Sequence, residues 1–218
     1  MARLTIPSLR RDDPHWFPPV SEAFNCGEYQ GLLAEGGDVA PARLLTAYAK
    51  GIFPWPDSDG WLQWWAPDPR AVIFCDRVHI SKSMRRTLNN PQLRVAWNSA
   101  TADVIEACSQ ARSTQNGSWI TEDLKSSYMH LSHLNRLESC EVWKGDTLVG
   151  GIFGIIVGRV FCGESMFHRI PNASKLALIH VTRRAQFQVI DCQFMTEHLQ
   201  SMGAEMISLS SLLEFSKS

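Results

Sequence analysis

The run CEVWKGDTLVGGIFGIIVGRVFCGE, Cys140 to Glu164, constrains the fold more than any other stretch of the chain. It is rich in β-branched and aromatic residues and is cut twice by turn signals, at Gly145-Asp146 and near Gly158. That pattern predicts three antiparallel strands joined by tight turns. Asn172 then opens a predicted helix to about Phe187. A strand follows over Val189–Phe194, and a short helix over about Thr196–Met202. The back half therefore reads β-β-β-α-β-α.

The front half is mixed and loop-rich. Residues 1–30 are Pro-rich, with WFPP at 16–19 reading as an extended arm. Gly36-Gly37 breaks the chain, Asp38 can cap a helix and Pro41 fits its first turn. Leu44, Leu45 and Tyr48 give that helix an apolar face, and Gly51 ends it. A Pro/Gly/Asp loop from Trp55 feeds a short strand, Ala71–Phe74. Helices are predicted from Ser81 to about Leu88, from about Ala100 to Arg112, and from the N-cap Thr121 to about Leu137. The expected class is mixed α+β. A small N-terminal α/β lobe, 1–115, precedes a C-terminal lobe, 116–218, with a mainly antiparallel sheet. The break falls near Ser113–Gly117.

Composition removes several functions. Apolar residues make up 44% of 218, so a core is available and general disorder is excluded. A net charge of -1 leaves only a local patch for any nucleic acid. The six cysteines are scattered with no C-x-x-C, which argues against a zinc site or a disulfide scaffold and fits reduced thiols in a cytosol. No segment approaches ~18 uninterrupted apolar residues, so no membrane span is expected. The start, MARLTIPSLRRDD, does not read as a secretory signal.

Two acids sit where a core strand would have none. Asp191 and Gln193 of VIDCQF lie two apart, so a regular strand projects them on one face, with Ile190 and Cys192 turned to a core. An acceptor beside a carboxamide suits holding and deprotonating an amine; it equally suits a structural hydrogen bond at a strand end. Glu164 follows Gly163 at the end of the third strand, as a site residue or as a turn cap. Lys82, Arg85 and Arg86 share one face of a helix that begins at Ser81. They suit a phosphate backbone, or are a solvated face. Trp55, Trp61, Trp64, Trp65 and Trp119 serve either a pocket or a core. His130 and His133 have no third ligand, and Cys162 and Cys192 read as inert small hydrophobes.

Together these pieces resemble one family, the bacterial leucyl/phenylalanyl-tRNA–protein transferases. The resemblance runs from about Phe17 to Ala204 and rests on GLLAEGGDVAPARLLTAYAKGIFPW, WWAPDPRAV, HISKSMRR, WIT, EVW, LVGGIFG, FCGESMF, NASK and VIDCQ. It implies transfer of Leu, Phe or sometimes Met from charged tRNA to an N-terminal Arg or Lys of a protein. The product would be marked for degradation by the N-end rule. It further implies a GNAT-like acyltransferase C-terminal lobe, no cofactor, a monomer and a cytoplasmic location. By resemblance, Asp191, Gln193 and Glu164 are catalytic, and Trp55, Trp119, Ile152, Ser165, Met166 and Phe167 surround the aminoacyl-adenosine. Lys82, Arg85 and Arg86 would face the acceptor stem. The chain departs from the family pattern at Ala66, where Ser is usual, and at Ile152, where some members have Met. Its tail EMISLSSLLEFSKS lacks the expected Arg-rich segment. Two other classes remain open: an acyl-CoA N-acetyltransferase, although PNASK lacks the glycine pattern of a pyrophosphate loop, and a non-enzymatic tRNA-binding module.

Overall fold

The computed structural model describes residues 6–25, 27–57, 59–111 and 118–217. The expected break at Ser113–Gly117 lies outside them. Among the described residues the strands form two sheets. The smaller is built from β1 (Ser8–Leu9), β2 (Leu32–Gly36), β3 (Phe53–Pro54) and β4 (Gln63–Trp65), in the order β1-β2-β4-β3. Helix α1 (Pro41–Ala49) joins β2 to β3. The larger sheet takes β5 (Arg70–Phe74), β6 (Leu93–Trp97), β7 (Leu137–Lys144), β8 (Thr147–Val157), β9 (Val160–His168), β10 (Val189–Gln193) and β11 (Glu205–Ile207). Its order is β11-β5-β10-β9-β8-β7-β6, antiparallel throughout except for the pair β9–β10. The architecture is thus mixed α+β with a mainly antiparallel main sheet. Both β5 and β6 precede residue 115, so this sheet draws strands from either side of the expected lobe boundary.

The remaining helices are α2 (Lys82–Leu88), α3 (Thr101–Ala111), α4 (Glu122–His133), α5 (Ala173–Thr182), α6 (Glu197–Ser201) and α7 (Leu209–Ser216). Helices α3 and α4 cover one face of the large sheet, where Val104, Leu124, Tyr128 and Phe153 are buried. Helix α5, with α2 against it, covers the other, where Ile152, Phe161 and Leu178 are buried. The alternation along β8 and β9 explains both cores, since neighbouring side chains on a strand serve opposite faces.

Of the caps read from sequence, those at Ser81 and Thr121 are present, whereas the N-cap of α1 is Ala40 rather than Asp38 and no side chain caps that helix; Asp38 Oδ1 accepts from the Ala40 N–H at 2.9 Å in the turn before it. Ser81 Oγ accepts from the Met84 N–H at 3.3 Å, and Thr121 Oγ1 accepts from the Leu124 N–H at 3.3 Å. Two helix ends differ from expectation. Helix α4 stops at His133 rather than Leu137, because Asn135 turns left-handed (φ 56) and the Arg136 N–H bonds back to the Leu131 carbonyl at 2.8 Å. Leu137 is thereby freed to start β7. Helix α5 ends at Thr182, short of Phe187. The Phe187 N–H closes a turn onto the Arg184 carbonyl at 3.0 Å, and its ring packs on Phe161 with centroids 5.2 Å apart. The four strands of the small sheet, together with β6, β11 and α7, had no sequence expectation.

One buried acid belongs to the fold. Glu141 on β7 has no exposed surface and sits at the start of α3. It accepts from Ser139 Oγ at 2.5 Å and Ser99 Oγ at 3.0 Å. A carboxylate satisfied this way, near positive helix-terminal amides, can stay buried without chemistry.

Three of the ladders in the large sheet are irregular: β7–β8, where the register shifts between Val142 and Trp143, and two that involve the acids singled out above. In the β8–β9 ladder, Gly154 pairs with Gly163 and Phe153 with Ser165, which leaves Glu164 as an extra residue. In the β5–β10 ladder, Val72 pairs with Asp191 and Ala71 with Gln193, which leaves Cys192 as the extra one. Such bulges redirect side chains and are frequent beside active sites. Gly154 makes the first bulge possible: a Cβ there would lie 2.5 Å from the Cys162 carbonyl oxygen and from Phe161. Gly154→Ala is therefore expected to lower stability by about 1–3 kcal/mol, measured as a shift of the urea midpoint at constant slope.

Candidate active site

Strand β5 opens with a guanidinium buried at its first residue. Arg70 has no exposed surface, and Asp191 on the neighbouring β10 is 2% exposed. Arg70 Nε donates to Asp191 Oδ1 at 2.9 Å and Nη2 to Asp191 Oδ2 at 3.1 Å. Nη2 also donates to the Gly51 carbonyl at 2.8 Å, and the guanidinium lies 4.8 Å from the centre of the Phe53 ring. This two-pronged pair satisfies both carboxylate oxygens and orients them. Asp191 Oδ1 accepts once more, from the Gln193 backbone N–H at 2.9 Å.

That last bond holds an unusual backbone. Gln193 has φ 62, in the left-handed region that non-glycine residues rarely enter. The bulge at Cys192 breaks the regular alternation expected for Asp191 and Gln193. Their neighbourhood survives by another route, since Asp191 faces Arg70 and Gln193 reaches across to β9.

There Gln193 Nε2 donates to Glu164 Oε1 at 3.2 Å, and the Tyr128 hydroxyl donates to Glu164 Oε2 at 2.8 Å. The buried Tyr48 hydroxyl faces the same carboxylate without a well-directed hydrogen bond. Burial pushes the Glu164 carboxyl up to about 7, against the two tyrosines, which favour the ionised form; the Asp191 charge adds to the rise and Arg70 opposes it. Both tyrosines are raised by burial and so remain protonated donors. The result is a carboxyl poised near neutrality with uncharged donors around it, a setting suited to accepting and returning a proton.

An aromatic wall stands beside Gln193. The Phe194 ring lies 5.6 Å from Phe53, 5.4 Å from Trp55 and 6.0 Å from Trp65, and Trp55 lies 6.1 Å from Trp119. Trp55 remains 43% exposed, so the wall has an open side. An open cleft of about 560 Å³ adjoins it, lined by Gln193, Phe194, Met195 and Met206, with Asp57 as its charged lining residue among those described.

The family models for leucyl/phenylalanyl-tRNA protein transferase match residues 72–216, and those for its N-terminal domain match residues 37–68. A leucyl/phenylalanyl-tRNA–protein transferase of Shewanella baltica (strain OS185) is 47% identical over 192 residues, 87% of this chain and 80% of the relative. One from Lawsonia intracellularis is 45% identical over 210 residues, 94% and 90%. The chain belongs to the leucyl/phenylalanyl-tRNA–protein transferase family. Among solved structures, a functionally unknown conserved protein from Staphylococcus epidermidis aligns over 81% of this chain and 68% of its own, with 10% identity and a TM-score of 0.44.

Several residues implied by the family resemblance lie elsewhere than at Gln193. Ile152 and Met166 pair across β8 and β9 on the face covered by α5. Phe167 is buried on the opposite face, with α3. Ser165 pairs with Phe153, and its hydroxyl is buried without a partner. Lys82, Arg85 and Arg86 are exposed on α2, opposite the buried Met84. The C-terminal end of that helix meets the start of α5 through Asn172 Nδ2 and Thr87 Oγ1 at 3.4 Å. Trp64 is core, with Nε1 donating to the Gly36 carbonyl at 3.0 Å; Trp61 is exposed. His130 and His133 are exposed on α4. Burial pushes the Cys162 and Cys192 thiols up, which disfavours either as a nucleophile.

Arg70, Tyr48, Tyr128 and Phe194 were missed from sequence. A lone Arg at the head of the apolar run RAVIF was the available signal for the first. Tyr48 read only as part of an apolar helix face, and its hydroxyl gave no pattern to find.

Glu164 makes stability depend on pH in a stated direction. Below about pH 4.5, folded and unfolded carboxyls are both protonated. As pH rises toward 7 the unfolded chain ionises freely and the folded one does not, so stability falls across that window and levels off above it. Glu164→Gln removes the penalty. It is expected to be about 1–3 kcal/mol more stable than wild type at pH 8 and nearly equal at pH 4, by denaturant unfolding at both pH values.

Proposed function

We propose that this protein transfers Leu or Phe from aminoacyl-tRNA to the α-amine of an acceptor protein, with Glu164, Gln193 and Asp191 handling the amine. One observation carries the reading: Gln193 is held at its backbone N–H by the Asp191 of a buried ion pair and at its carboxamide by a carboxyl raised to about 7. The ester of the donor is already activated, so no nucleotide hydrolysis and no enzyme nucleophile are needed. What remains is to deprotonate, aim and stabilise. An α-amine has an ordinary pKa of about 7.7–8.0 and arrives largely protonated. Glu164, ionised, takes a proton from the ammonium group. Gln193 orients the amine toward the ester carbonyl, and Asp191 fixes the Gln193 backbone. The C–N bond forms, the bond to the ribose oxygen breaks, and the second amine proton leaves with the ribose hydroxyl.

Finer points belong to the same reading. The acceptor carries an N-terminal Arg or Lys; acids near the site, including Asp57 in the adjoining cleft, support a cationic partner. Met is a third donor amino acid, because apolar pockets separate such side chains by only ~1–3 kcal/mol per methylene. The product enters N-end-rule degradation, and the protein acts as a cytoplasmic monomer. The main lobe is GNAT-like: its one parallel pair among the described residues, β9–β10, ends at Cys162 and Asp191, beside Glu164 and Gln193. The smaller sheet with α1 forms the other lobe.

Mixing the protein with Leu-tRNA and a peptide beginning with Arg should add the mass of one leucine; an unchanged peptide would refute the reading, and acetyl-CoA in place of charged tRNA should give no product. In single-turnover transfer, Asp191→Asn should reduce the rate by about 10²–10⁴-fold while the protein stays folded. A rate within twofold of wild type would take Asp191 out of the mechanism.

The basic face of α2 supports docking of the acceptor stem. Each phosphate contact releases counterions, so affinity falls with salt by about one log–log unit per contact. Arg85→Ala and Arg86→Ala should raise KM for full-length charged tRNA and flatten its salt dependence. Both should act normally on an aminoacyl-adenosine fragment. Equal losses on the two donors would assign α2 to supporting the site instead.

A further inference from the structure

We propose that Arg70 is a positioning residue for the transfer: it acts through Asp191 to set the bulge at Cys192 and so to hold the Gln193 carboxamide against Glu164. The inference rests on the proposed aminoacyl transfer and adds a residue to it.

The geometry forms one continuous chain. Arg70 directly precedes Ala71 and Val72, whose register partners, Gln193 and Asp191, flank the bulge. Its guanidinium clamps both oxygens of Asp191, at 2.9 and 3.1 Å, and Asp191 Oδ1 then accepts the Gln193 N–H at 2.9 Å. Gln193 keeps its left-handed backbone there and donates its side-chain amide to Glu164 at 3.2 Å. Each link is directional, so a displacement of Arg70 reaches the reacting groups.

A purely stabilising role fits these residues poorly. Buried ion pairs are often replaced by apolar residues without loss of stability. This pair also leaves Arg70 Nη1 buried with no hydrogen-bond partner, and it supports a strained residue. Both features work against stability, and both are explained if the fork serves to aim Gln193.

The pair also sets the field at Glu164. The groups facing that carboxyl are Tyr48 from α1, Tyr128 from α4, Gln193 and Asp191 from β10, Arg70 from β5, and Cys162 on its own strand. Of these, Asp191 raises the proton affinity of Glu164 and Arg70 lowers it. Removing one charge at a time must therefore move Glu164 in opposite directions.

The test uses four full-length variants: Arg70→Lys, Arg70→Gln, Asp191→Asn and the neutral double Arg70→Gln/Asp191→Asn. Each is checked for folding by thermal unfolding and assayed for kcat and KM against pH with Leu-tRNA and an Arg-peptide. Arg70→Lys keeps the charge and loses the fork. It should lower kcat by at least about tenfold with KM for the charged tRNA within twofold. The acid limb of the kcat profile, where Glu164 must ionise, should move to higher pH in Arg70→Gln and to lower pH in Asp191→Asn. The double variant should lie between them, and it stands in for Arg70→Gln if that variant does not fold. A folded Arg70→Lys with kcat within twofold of wild type overturns the proposal. So does a loss confined to KM, or limbs that coincide with wild type in every folded variant. Wild type that transfers no leucine would instead defeat the proposed function itself, so the two failures are distinguishable.

Discussion

A guanidinium without exposed surface has given up its water, and the surroundings of Arg70 replace it at Nε and Nη2 but not at Nη1. Asp191 supplies two oxygens, the Gly51 carbonyl a third and the Phe53 ring a face. Removing one partner from such a pair typically costs about 3–5 kcal/mol, because the other is left charged and dry. The contacts also cross the molecule. Gly51 and Phe53 belong to the segment that leaves α1 for the small sheet, and Asp191 lies inside the large one. The aromatic wall, carried partly by Phe53 and Trp55, and the end of β10 are therefore fixed by the same group.

Three buried acids show how environment assigns roles to one kind of side chain. Asp191 has a cation. Glu141 has hydroxyls at the start of a helix. Glu164 has two phenols and an amide, none of them charged. In the third setting burial raises the carboxyl to about 7.

Much of the architecture was legible in the chain. The turns at Gly145-Asp146 and Gly158, the caps Ser81 and Thr121, and the period change after residue 139 all correspond to what forms. Glu164 and Gln193 stood out because acids and amides are rare in apolar strands, and they meet in space. The rest depends on distant partners. Arg70 and Asp191 are 121 residues apart, and nothing in either stretch names the other. Glu141 interrupts an apolar strand as plainly as Glu164 does, and only Ser99 and Ser139 tell them apart. The strands of the small sheet run two to five residues, too short for a period to register.

The two bulges have a consequence for how such a site can change. Glu164 and Cys192 are each one residue more than their ladders require. Side chains on a strand alternate strictly, so removing either residue would hand everything beyond it to the opposite face. No intermediate arrangement exists between the two counts. The meeting of Gln193 with Glu164 is thus stored as an integer, the number of residues between paired positions on adjacent strands. Substitutions can adjust distances within that count, but only an insertion or deletion can change it, and such a step would displace Gln193 and Phe194 together.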